Sequence, residues 1–171
     1  MANVKHAMQS KSDQLNYVDV GNGSVIALVE SVNVTNSDQQ PVTVVFNGCN
    51  GKPYKPNKGM IRVLAGAWGE ETDNWIGKTI KIVGDPTVTW GNEAIGGLVV
   101  GALSDIDKAG YTAYIQKNKR VRVKKTIPLL VIEPPKLTED DQGWIDAARL
   151  DPEVLNQITD PAYKKFIASN L

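Results

Sequence analysis

The stretch NKGMIRVLAGAWGEETDNWIGKTIKIVGDPTVTWG (57–91) decides how the chain is read, because the spacing of its apolar residues changes partway along. Met60, Val63, Leu64, Ala67 and Trp68 recur at intervals of three and four, the stripe of an amphipathic helix. Asn57 stands where an N-cap belongs, and Gly69 where a helix stops. After a turn over 70–74 the chain runs through Trp75-Ile76-Gly77-Lys78 into a segment of a different period. There 79–83 reads as a strand with Ile80 and Ile82 inward. Gly84-Asp85-Pro86 turns or bulges it, 87–90 continues it, and Gly91-Asn92 turns the chain again.

Strands flank this helix on both sides. Residues 24–35 alternate, with Ile26, Leu28, Val32 and Val34 on one face and Val25, Ala27 and Val29 making the other partly apolar. That pattern predicts a long strand, bent or covered on both sides for part of its length. A polar connection, 36–40, leads to a second strand at 41–46, most simply as a hairpin. Residues 96–103 return as a strand, and a last one sets Arg120, Arg122 and Lys124 against Val121, Val123, Ile127, Leu129 and Val131. The expected fold is mainly β in an α+β chain: a small, partly open barrel of the oligonucleotide/oligosaccharide-binding (OB) type with one central helix. A β-sandwich is the alternative, since one sequence does not fix strand order.

Past Pro134-Pro135 the texture is helical. Thr138 with Asp141 forms a capping box, and Asp151-Pro152 and Asp160-Pro161 each set an N-cap before a proline. Trp144, Ala147, Ala148, Val154, Leu155, Ile158, Tyr163, Phe166 and Ile167 supply the apolar faces. The expected division is a polar N-terminal segment (1–23), a β domain (24–133) and a helical appendage (136–171).

A chain of 171 residues, 42% hydrophobic, buries one good core with an appendage. Catalysis finds little footing in it. His6 is the lone histidine and Cys49 the lone cysteine, so neither a disulfide nor a thiol cluster forms within one chain and no positioned base is evident. Asp105 and Asp107 flank Ile106, a pair better read as a solvated strand end than as metal ligands. Gly96-Gly97-Leu98-Val99-Val100-Gly101 has neither nucleotide-binding spacing, so its glycines point to a bulge or a close backbone approach. The expectation is a non-enzyme with no cofactor and no metal. No apolar run has signal-peptide or membrane-spanning length, so a cytoplasmic location is expected.

Charge is zero in sum but not in distribution. Residues 52–125 carry thirteen Lys/Arg against seven Asp/Glu, while residues 126–171 carry four against eight. A basic middle with interleaved aromatics suits single-stranded nucleic acid, whose phosphates follow a positive groove and whose bases stack on rings. The candidate contacts are Lys117, Lys119, Arg120, Arg122 and Lys124 on the last strand, Lys55, Lys78 and Lys81 from the centre, and the rings of Trp90, Trp75, Tyr54 and Tyr111. Lys52, Lys58, Lys125 and Tyr114 lie among them, while Trp68 belongs to the core. The basic strand also fits an edge guarded by charge against aggregation.

The segments 52–69, 74–91 and 95–106 resemble a group of small phage and prophage proteins, mostly of unassigned function, associated with DNA replication and recombination genes. The likeness covers about half the chain. It rests on the Trp-Gly helix end, the W-x-G-K/R entry into a strand and the later Gly-Gly strand. That strand often carries an arginine in such proteins where this chain has Val99, so no role of that arginine transfers. The resemblance implies phage DNA metabolism in the host cytoplasm. The leading expectation is a single-stranded-DNA-binding protein of replication or recombination; the rival is an adaptor or inhibitor that engages a phage or host enzyme through the acidic helical tail.

Overall fold

The computed structural model describes residues 12–90, 92–116, 121–132 and 138–171. The chain divides into two compact units, Met1–Val131 and Ile132–Leu171. It is a mixed α+β protein with mostly antiparallel sheets, and among the described residues no strand closes a barrel. Helices take about as much of the chain as strands, more than the mainly-β expectation.

The first unit is built on a sheet ordered β2-β1-β3-β6, comprising β1 (Ser24–Val34), β2 (Val42–Phe46), β3 (Thr79–Asp85) and β6 (Gly97–Leu103). Tyr54 adds an antiparallel bridge to Val44 outside β2, and Leu129 a parallel bridge to Leu103 outside β6. The helix α2 (Lys58–Trp68) lies between the Tyr54 segment and β3 in sequence. Its N-cap is Asn57, whose side chain accepts the Met60 amide at 3.0 Å, and Gly69 ends it at φ 97°. Met60, Val63, Leu64 and Trp68 are buried, the stripe the sequence predicts.

The two faces of β1 do not fall as alternation alone suggests. A register shift between Val29 and Ser31 inserts an extra residue, which flips the phase of the strand. Ala27 and Val29, ahead of the bulge, are fully buried; beyond it Val32 and Val34 pair with the buried Val44 and Val42, Val32 packing on the core and Val34, at the strand end, standing 62% exposed. Ile26 and Leu28, expected with Val32 and Val34, stand on the opposite face at 49% and 42% exposure. A second irregularity, between Lys81 and Ile82, sits where Lys81 pairs with Ala102 and Ile82 with Val100, so Gly101 is the extra residue. A Cβ there would strike the Val83 side chain.

Between β3 and β6 the chain makes a small hairpin, β4 (Thr89–Trp90) with β5 (Glu93–Ala94), rather than one strand carried through to Trp90. A further hairpin, β7 (Tyr111–Gln116) with β8 (Arg122–Ile127), lies against α2. The sequence reading passes over β7. Two glycines one heptad apart make the approach possible: a Cβ on Gly59 would stand 3.2 Å from an Ile115 methyl, and one on Gly66 would strike the Tyr111 hydroxyl. Ala113 and Ile127 are buried on the inner face. Val121 and Val123, expected inside, are 45% and 44% exposed.

Ahead of β1, residues 12–23 are more than a polar lead-in. They include the single turn α1 (Tyr17–Val20), and Leu15 packs on the main core. The second unit holds α3 (Glu139–Leu150), a 3-10 turn (Pro152–Gln157) and α4 (Pro161–Ala168) around Ile145, Ile158 and Ile167. Its capping box is formed in both directions, Thr138 accepting from the Asp141 amide and Asp141 from the Thr138 amide.

Candidate nucleic-acid interface

The β7–β8 register decides which side chains share a face. Tyr114 lies opposite Lys124, Thr112 opposite Thr126 and Ala113 opposite Lys125. Because strand side chains alternate, Tyr114, Lys124, Arg122 and the two threonines project from the face away from α2. Tyr114 is 66% exposed, and Arg122 and Lys124 are exposed beside it. Residues 111–127 hold six Lys/Arg and no Asp/Glu. Lys117, Lys119 and Arg120, candidates from the sequence, lie outside the described residues.

The other rings divide differently. Trp75 is 2% exposed and Tyr54 1%, so neither is available to stack on a base. Trp75 meets Trp68 edge-to-face at 6.4 Å, and its indole N–H donates to the Gly69 carbonyl at 2.8 Å, so the ring is satisfied inside. Trp68 is core as expected, its N–H donating to the Ser104 carbonyl at 2.9 Å. Tyr54 is buried because its segment pairs with the edge of β2, and burial pushes its phenol pKa up. Tyr111 is half-buried, its ring on the core and its hydroxyl over Gly66. Trp90 ends β4 at the tip of the small hairpin, and its side chain lies outside what the structure describes.

The central lysines are likewise engaged. Lys78 sits 5.4 Å over the Trp68 ring, a cation–π contact. Lys55 pairs with Asp13 at 3.0 Å and Lys52 with Asp19 at 2.8 Å. The Lys55 ammonium bonded to Asp13 holds that carboxyl below the usual carboxylate range. Lys81 is half-buried on β3, paired with Ile26 and Ala102. Lys125, on the inner side of β8, acts on Asp85, whose carboxyl is held low first by the Thr87 hydroxyl and amide and then by this charge.

The structure thus gathers Arg122 and Lys124 on one exposed face and sets Tyr114, rather than the half-buried Tyr111, beside them. Tyr111 and Tyr114 are three apart, so a strand sends them to opposite faces. That much is readable from sequence once β7 is recognised. Among the described residues no group of His, Cys, Asp and Glu is arranged to hold a metal ion, and no helix is long and apolar enough to cross a membrane. Asp105 instead accepts from the Ser104 hydroxyl in a left-handed turn at φ 55°. Compared with known proteins, the chain matches no family model, no curated protein and no solved structure.

Proposed function

We propose that the protein binds single-stranded nucleic acid, with DNA as the intended strand, and does no chemistry on it. One observation carries this: Tyr114 is exposed opposite Lys124, with Arg122 next along the same face, on a hairpin with cations and no acid. A ring for a base flanked by cations for phosphates is the unit from which sequence-tolerant single-strand binding is assembled. The order of pairings supports an OB-type reading of the first unit. It runs Tyr54 segment, β2, β1, β3, β6, with the helix between the third and fourth of these in sequence, as in a five-stranded barrel left open. In that reading the β4–β5 hairpin, with Trp90, is the loop between the fourth and fifth strands, a position OB folds use for ligands. The phage resemblance agrees, giving replication or recombination in a host cytoplasm as the setting.

The test is fluorescence anisotropy with labelled oligo(dT) at about 50 and 200 mM salt. Binding that weakens with salt, with a log–log slope of roughly 0.7 per phosphate released, is the expected result. Absence of binding at the lower salt refutes the proposal. A second reading, an adaptor acting through the helical tail, is favoured by the acidic balance there and by Leu150, which is 90% exposed. It predicts a partner protein whose binding does not depend on DNA.

A further inference from the structure

Residues 13–22 are fastened to the first unit at both ends. The Leu15 amide donates to the Pro53 carbonyl at 3.0 Å. Asp19 and Asp13 accept from Lys52 and Lys55 at 2.8 and 3.0 Å. Further along, the Tyr17 ring rests on Gly96, where a Cβ would stand 2.5 Å from Cδ1, and the Gly21 carbonyl occupies the space a side chain at Gly84 would fill. The strap therefore reaches from the Tyr54 segment to the two ends of the β3–β6 connection. In the OB-type reading these are the third strand and the base of the loop between the fourth and fifth, both ligand-bearing positions.

The chemistry of the contact is that of the ligand. A carboxylate and a phosphodiester each carry one negative charge and accept from an ammonium in the same way. The Asp13 carboxylate is 83% exposed, so its pair with Lys55 is weak, screened by salt and exchangeable, whereas the Lys52–Asp19 pair, 22% and 11% exposed, opens only as the strap lifts. We infer that residues 13–22 are an internal competitor for single-stranded nucleic acid, with Asp13 and Asp19 holding on Lys55 and Lys52 the places that backbone phosphates take in the bound state. This rests on the nucleic-acid reading above and gives it a second, guarded contact surface.

The experiment uses the full chain and a labelled oligo(dT) of about 20 nucleotides, longer than the site of one OB fold. Asp13→Asn with Asp19→Asn is expected to bind about fivefold tighter or more at about 50 mM salt, as the two carboxylates that compete with phosphates are neutralised. Adding Lys52→Gln and Lys55→Gln to that protein should erase the gain, whereas the two lysine changes alone should move wild-type affinity less than about twofold. Glu70→Gln with Glu71→Gln, the same change of charge at the far end of α2, is the control for long-range attraction and should give little. DNA should also speed hydrogen exchange at the Leu15 amide as the strap lifts.

A folded Asp13→Asn/Asp19→Asn protein with wild-type affinity overturns the inference, as does a gain that survives loss of both lysines. Asp19 also accepts the Asn16 amide, so if the pair of changes unfolds the strap, Asp13→Asn alone must still tighten binding in a Lys55-dependent way. If it does not, the inference fails. Arg122→Glu with Lys124→Glu separates the two claims: lost affinity there with no gain from the strap changes leaves the function standing and removes the competitor. No binding by any of these proteins removes both.

Discussion

Tyr114 stands directly across the β7–β8 pair from Lys124, on the face turned away from α2. The ring contributes nothing to the core, so its truncation separates binding from stability. Stacking is worth about 1–3 kcal/mol per base, so Tyr114→Ala should weaken oligo(dT) binding roughly 5- to 150-fold with an unchanged melting curve. Lys124→Gln should lower the salt slope by about 0.7. Wild-type affinity in Tyr114→Ala would remove the observation on which the functional proposal stands.

Trp75 and Tyr54 should respond in the opposite sense. Trp75→Ala opens a cavity in the core and should cost about 3–5 kcal/mol of stability. Tyr54→Phe is the sharper test. Its buried hydroxyl has no hydrogen-bond partner among the described residues, and an unsatisfied buried polar group costs about 1–3 kcal/mol. Removing the oxygen alone should leave the protein as stable or raise its melting temperature. A substantial fall in urea or thermal denaturation would mean that the hydroxyl has a partner.

The helix α2, its cap and its stop were legible because local chemistry sets them: a 3.6-residue stripe, Asn57 and Gly69. The second unit was legible for the same reason, through Thr138, Asp141 and the two Asp-Pro starts. What escaped depends on long-range placement. The bulge after Val29 exchanges the faces of β1, and only its pairing with β2 reveals it. Trp75 and Tyr54 sit among lysines in sequence, yet the fold turns them inward. Counting cations near a ring did not show that Lys55 and Lys52 already hold carboxylates from 42 and 33 positions earlier in the chain. β7 was missed because Tyr111–Gln116 alternates weakly, and its inner face is defined by the glycines of α2.

The second unit carries its own dependence on pH. The Tyr163 hydroxyl donates to Asp141 at 2.5 Å, tying α4 to the cap of α3. This bond, followed by those from Thr138, lowers the Asp141 pKa, and the same bond raises that of Tyr163 to about 12. A carboxyl lowered in the folded state stabilises above its unfolded value of about 3.9 and ceases to as pH falls through the folded one. A phenol raised in the folded state stabilises below about 10 and ceases to as pH climbs towards 12. Amide protection at Ile145 and Ile167 should therefore be flat from about pH 5 to 9 and fall on both sides. Tyr163→Phe should flatten the alkaline fall. If the variant keeps the wild-type alkaline profile, the bond is not what links the two helices.

Two glycines give opposite predictions for the same substitution. Gly143 lies inside α3, where a Cβ would meet nothing within 4 Å, and its backbone is ordinary helix. Glycine there has no conformational role and costs about 0.5–1 kcal/mol relative to alanine, so Gly143→Ala should stabilise the second unit by that amount. Gly84 is the contrary case. A Cβ on it would collide with the Gly21 carbonyl and press on the Tyr17 ring at 3.2 Å, and the carbonyl is backbone that cannot rotate away. Gly84→Ala must displace the strap or the end of β3, at a cost of about 1–3 kcal/mol typical of overpacking. The loss should show first as faster amide exchange at Leu15 and Gly21, with the buried β3 residues Ile80 and Ile82 still protected. If β3 opens along with the strap, residues 13–22 are an integral part of the first unit's fold, and lifting them off for a ligand becomes untenable.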